Sequence, residues 1–175
     1  MKEATKSIQA IVNFEKPLSY DGILRLLSEA IKECNEIFDK RWRALPLIRR
    51  IFMRRDIYYV YSDKRMYCSY DGKAPMKFYN YTLDVHEFPD AKYENRYLIA
   101  ICGIRDYLLY FNVIPGIAEE NQFGTLISEY ESVNCITIKA NRKSEPKWRC
   151  VQTDFLEMLV PIIERINQEK IEAII

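Results

Sequence analysis

Few side chains in this sequence have the type and spacing to do chemistry. His86 is the only histidine, so any catalytic triad or imidazole metal site would have to be built around one ring. In Asp84-Val85-His86-Glu87, Asp84 and His86 fall on the same face of a strand, where a carboxylate orients an imidazole for general-base work. No nucleophile motif accompanies them. G-x-S-x-G, a P-loop and G-x-G-x-x-G are all absent, and five glycines leave little material for a loop that cradles phosphate. His86 therefore reads as an exposed strand-end histidine among solvated acids. No catalytic residue is assigned, no cofactor is implied, and enzymatic activity is not expected.

The cysteines point the same way. Cys34, Cys68, Cys102, Cys135 and Cys150 are singletons far apart in the chain. Zinc is usually held by closely paired thiolates or imidazoles, whose short spacing limits the entropy lost on chelation. No metal site is expected, and an odd number of thiols does not close into internal disulfides without remainder. They read as reduced core thiols of a cytoplasmic protein. The opening residues MKEATKSIQAIVNF mix acid and base with no apolar h-region, so no secretory signal is expected. Nor does any stretch approach the roughly 18 uninterrupted apolar residues of a membrane span.

What remains is binding chemistry. Lys40, Arg41, Arg43, Arg49, Arg50, Arg54 and Arg55 fall within sixteen residues that contain no acid, a local charge of +7 in a chain of net charge +1. Guanidinium groups fork onto phosphates and carboxylates, and Trp42, Phe52 and Met53 place apolar anchors among them. RNA, an anionic membrane surface and an acidic protein are all chemically suited to such a segment. The alternative is a solvated face that pairs with the chain's own acids, such as those near the C-terminus. The other binding feature is tyrosine, thirteen in all, with Tyr58, Tyr59, Tyr61, Tyr67, Tyr70, Tyr79 and Tyr81 clustered in the middle of the chain. Neighbouring residues of a strand point to opposite faces, so some of these rings point outward, either into a partner or into cross-strand aromatic pairs.

The elements that must position these groups follow from periodicity. Ile8, Ala10, Val12 and Phe14 alternate as a short strand, which Pro17 is expected to stop. From Ser19, a plausible N-cap, Ile23, Leu27, Ala30, Cys34, Ile37 and Trp42 recur at helical spacing to about Ala44. Pro46 then suits the first position of a second short helix, LIRRIFMRR. DIYYVYS and RMYCSY are expected as two strands about a turn at Ser62-Asp63-Lys64, with MKFYNYTLDV following the Asp71-Gly72 turn. RYLIAIC and YLLYFNVI form a hairpin around Gly103-Ile104-Arg105-Asp106. TLISEYESVNCITIKA supplies one long or two short strands, and KWRCVQ a brief one. A C-terminal helix from Asp154 to about Ile174 carries Phe155, Leu159, Ile162 and Ile166 on one stripe, kinked at Pro161.

These elements predict one α+β domain over residues 1–175. It is an antiparallel sheet of about six or seven strands, packed against an N-terminal helix pair and a long C-terminal helix, in an order similar to helix-grip folds. The hairpin at 97–103 and 107–114 is apolar on both parities, so both of its faces must be covered. The expected function is that of a non-enzymatic intracellular binding protein. It would engage a macromolecular partner, or a second copy of itself, through the sheet face and the arginine segment: Arg41, Arg43, Arg49, Arg50, Arg54, Arg55, Tyr58, Tyr59 and Tyr61. Two alternatives stand beside it. One is a carrier holding a small apolar ligand between sheet and C-terminal helix, against Phe155, Met158, Leu159 and Ile162, which requires a cavity on the order of 300 Å³ or more. The other is RNA or single-stranded DNA binding through arginine and stacked aromatics.

Overall fold

A computed structural model describes residues 9–52, 57–69, 76–77, 92–103, 110–118, 127–128, 131–140 and 146–174. Along the chain these form β1 (Gln9–Ser19), α1 (Tyr20–Arg43), α2 (Leu47–Phe52), β2 (Tyr58–Ser69), β3 (Met76–Lys77), β4 (Lys92–Gly103), β5 (Tyr110–Pro115), β6 (Ile127–Ser128), β7 (Ser132–Ala140) and α3 (Pro146–Ile174). The architecture is α+β. Five strands carry an antiparallel sheet in the order β1-β7-β5-β4-β2, and the two-residue segments β3 and β6 pair onto β2 and β4.

α1 and α3 pack together on one face of this sheet and bury a single core. From α1 come Ile23, Leu26, Leu27, Ala30, Ile31 and Cys34; from α3 come Phe155, Leu156, Leu159, Ile162, Ile163 and Ile166; the sheet answers with Val12, Ile99, Ile101, Phe111, Val113, Ile136 and Ile138. At the entry to α1, Ser19 is extended and its side chain accepts a hydrogen bond from the Gly22 N–H, satisfying one of the donors that a helix start leaves open. Tyr20, the first residue of the helix, stacks on Tyr97 of β4 with ring centroids 4.2 Å apart. This stack ties the start of α1 to the sheet.

Several boundaries differ from the periodicity reading. β1 does not stop before Pro17 but runs through it to Ser19, with a register shift against β7 between Asn13 and Leu18. β1 is an edge strand, where a residue without an N–H costs no ladder bond. The expected turn at Ser62-Asp63-Lys64 is absent: β2 is one strand paired with β4 residue for residue, from Tyr58 opposite Gly103 to Ser69 opposite Lys92. Ser62, Asp63 and Lys64 are successive residues of that strand and point alternately to its two faces, and no glycine supplies the positive φ that a tight turn needs there. KWRCVQ is helical, lying within α3, which is described from Pro146 onward. α3 runs unbroken through Pro161, whose side chain is exposed, so its ring burdens only the solvent side of the helix. TLISEYESVNCITIKA resolves into the two pieces β6 and β7. Most of MKFYNYTLDV and residues 104–109 of the expected hairpin lie outside the described residues.

Among its described residues the doubly apolar ribbon is buried on the helix side and in part on the other side. Ile99, Ile101, Phe111 and Val113 face the helices, while Ala100 and Ile114, of opposite parity, are also buried. On that outer face the segment after β5 folds back over β7. The Gly116 N–H donates to the Cys135 carbonyl at 2.8 Å. The Thr137 hydroxyl donates to the Gly116 carbonyl at 2.7 Å and accepts from the Ala118 N–H at 3.1 Å. Gly116 adopts φ +88° to make this turn, a conformation that favours glycine.

Candidate functional site

The basic segment is built by the end of one helix and the whole of the next. Lys40, Arg41 and Arg43 occupy the last turn of α1, where cations complement the negative end of the helix dipole. The helix closes with the Ala44 N–H donating to the Lys40 carbonyl and the Leu45 N–H to the Trp42 carbonyl, both at 3.1 Å. After Pro46, α2 makes one and a half turns and buries none of its residues.

The rotation of α2 is the unusual feature. At 100° per residue, Leu47, Ile48, Ile51 and Phe52 share an arc of about 140°, with Arg49 and Arg50 on the remaining side. An amphipathic helix normally turns such a stripe toward the core. Here the reverse holds: Leu47, Ile48, Ile51 and Phe52 are 69%, 72%, 71% and 81% exposed. Arg50 instead faces the body. Its Nε donates to the Leu45 carbonyl at 2.9 Å, and its guanidinium lies 5.8 Å from the centre of the Trp42 ring.

Among the described residues no ion pair joins this segment to the C-terminal helix, whose cations pair instead with α1. Arg165 pairs with Glu33 and, at 2.9 Å, with Glu169, while Lys170 pairs with Glu29 at 3.1 Å. Among the described residues the only ion pair of the basic run is Arg43 to Asp39 at 2.9 Å, within α1. Arg41 and Arg49 are exposed at the surface. Arg54 and Arg55 lie outside the described residues, as do Asp84 and His86.

The three tyrosines separate. Tyr58 is buried, stacked on Phe155 with centroids 3.9 Å apart, so it belongs to the core and not to a surface. Tyr59 and Tyr61, 42% and 43% exposed, stand on the outer face of β2. Tyr59 hydrogen-bonds Cys102 across the strand pair, a contact that partly offsets the upward push of burial on that thiol. One residue that periodicity did not single out is Asn35. Its Oδ1 accepts from the Tyr58 N–H at 2.9 Å and its Nδ2 donates to the Tyr58 carbonyl at 2.8 Å, so a helix side chain pairs with the start of β2 as a neighbouring strand would. Nothing in the sequence near Asn35 marks this role, because its partner is 23 residues away.

The residues expected to line a carrier space lie in the core. Phe155, Leu159 and Ile162 are buried and Met158 packs against the same cluster. The Phe155 ring also lies 5.3 Å from that of Phe111 and 6.4 Å from that of Phe38. Open space is found instead in a groove of about 460 Å³ between α1 and β2, bordered by Ser28, Lys32, Asn35, Glu36 and Tyr59. A second, more polar groove of about 480 Å³ runs between α1 and α3 past Glu33, Lys40 and Arg165.

The described residues contain no cluster of three or more histidine, cysteine, aspartate or glutamate side chains able to hold a metal ion. Cys34 is enclosed in the core. Burial, reinforced by the charge of Glu33, pushes its thiol up to about 12, which removes it as a nucleophile. No described helix is long and apolar enough to cross a membrane. Comparison with family models, with curated proteins and with solved structures finds no match.

Proposed function

We propose that this chain is a non-enzymatic binding protein that docks a macromolecular partner, or a second copy of itself, through the arginine segment at the α1–α2 junction. Tyr59 and Tyr61 extend the contact along the sheet. The observation that carries this reading is the outward apolar stripe of α2, set among cations of which, in the described residues, only Arg43 is ion-paired. A patch of this kind is stable in water only at the cost of exposed apolar area, which monomeric proteins usually keep scattered. Arg54 and Arg55 belong to the same segment by sequence, and the protein is taken to act in the cytoplasm with its thiols reduced.

The proposal extends to the fold, as one domain over residues 1–175 with a sheet of six or seven strands in helix-grip-like order. It is supported by the strand-helix-helix sequence ahead of the sheet and by the placement of α3 beside α1. Carriage of an apolar ligand against Phe155 is the weaker reading, because the rings there already touch one another.

Light scattering after size exclusion, over a range of protein and salt concentrations, tests the docking reading. Self-association or capture of a partner that weakens with salt, and is slowed by replacing Arg41, Arg43, Arg49 and Arg50 with alanine, is the expected result. Association that is unchanged by those four replacements removes the arginine segment from the interface.

A further inference from the structure

We propose that α2 is a peripheral anchor for an anionic lipid surface, an inference that rests on the arginine segment being an interaction surface. Leu47, Ile48, Ile51 and Phe52 enter the boundary between headgroups and acyl chains, while the exposed Arg41 and Arg49 meet the lipid phosphates. Two observations favour lipid over a protein groove. Each of the four side chains of the stripe is at least 69% exposed, so the stripe stands open to enter a soft phase and is not recessed to receive a ligand. Beside it Arg41 and Arg49 are exposed, and the acid next to them in α1, Asp39, is held by Arg43 at 2.9 Å, which leaves cations to face a plane of phosphates. Because Arg50 is fixed against Leu45 and Trp42, the stripe is held outward before any contact is made, and little ordering is required on binding.

The test is co-sedimentation of the full chain with vesicles of phosphatidylcholine alone and of phosphatidylcholine mixed with phosphatidylserine, at low and high salt. Binding to the mixed vesicles, weaker binding to phosphatidylcholine alone, and loss of the difference at high salt are expected. Each cation at an anionic surface is worth about fivefold in partitioning, so Arg41→Ala with Arg49→Ala should weaken binding to the mixed vesicles about thirtyfold and leave the neutral vesicles unaffected. Ile51→Glu with Phe52→Glu should abolish binding to both, with the melting temperature unchanged because neither side chain is buried. Failure of the parent chain to bind mixed vesicles overturns the proposal. So does binding that the glutamate pair leaves intact, which would mark simple attraction to phosphate, as in RNA. If the chain ignores vesicles yet associates with itself or a protein through the same residues, the lipid assignment fails while the docking reading stands.

Discussion

Replacing Phe155 with alanine tests whether the space between sheet and C-terminal helix is core or pocket. The ring is buried and is flanked by side chains from three other elements: Tyr58 of β2 at 3.9 Å, Phe111 of β5 at 5.3 Å and Phe38 of α1 at 6.4 Å between centroids. Removing a buried phenylalanine costs about 3–5 kcal/mol through lost transfer energy and the cavity left behind, and aromatic contacts add about 0.5–1.5 kcal/mol per pair. With several ring neighbours the loss should fall in the upper half of that range, at about 4 kcal/mol. For a chain of 175 residues this corresponds to roughly 8–16 °C in Tm. Urea unfolding followed by circular dichroism should show a lower midpoint with an unchanged slope, and Phe155→Leu, which keeps most of the volume, should lose no more than about 1.5 kcal/mol. A pocket-lining ring behaves differently, since its partner is a ligand or water. A loss below about 1 kcal/mol for the alanine variant would refute the packed-core account and revive the carrier reading.

Two further outcomes follow from the same core. Asn35→Ala leaves the N–H and carbonyl of Tyr58 without their side-chain partner, which should cost about 1–3 kcal/mol. Hydrogen exchange at the Tyr58 amide should quicken more than at the central β4 amides, and equal protection in both proteins would show that Asn35 is not what closes this edge. The Cys34 thiol, pushed up to about 12, should resist alkylation in the native protein at pH 8, where the thiolate fraction is on the order of one in ten thousand. Because the folded state holds this proton more tightly than the unfolded state, its contribution to stability is complete below about pH 9 and is lost as pH rises toward about 12. Rapid native labelling at pH 8 would contradict the enclosed position.

The elements that the sequence made legible are those whose pattern depends on burial alone. α1 declared itself through Ser19 and a stripe at helical spacing, and both the cap and the buried positions Ile23, Leu27, Ala30 and Cys34 are found in place. β2 was harder, because three consecutive polar residues, Ser62, Asp63 and Lys64, break the alternation and so suggest a turn; the pairing with β4 that runs through them is invisible to local pattern. The same holds for KWRCVQ, whose aromatic and β-branched content suggests a strand although it is continuous with α3. Pro17 ended the first strand on paper for lack of knowledge that β1 is an edge.

The candidate site illustrates a deeper limit. Apolar residues on both parities of β4 and β5 call for cover on two faces, and Ala100 and Ile114 are indeed buried on the second, but the pattern says nothing about what covers them. The helices cover one side, and the Gly116–Ala118 turn, hydrogen-bonded to Thr137, lies over part of the other. In LIRRIF the periodicity is that of any short amphipathic helix, from which an inward apolar stripe would be inferred. What reverses it is the connection at Ala44, Leu45 and Pro46 together with the hold of Arg50 on the Leu45 carbonyl and Trp42. A residue's preference for burial is written in its type, but the direction in which a helix turns that preference is set by contacts at its ends. Where those contacts turn the stripe toward solvent, the unmet preference for burial becomes a surface available to bind something else.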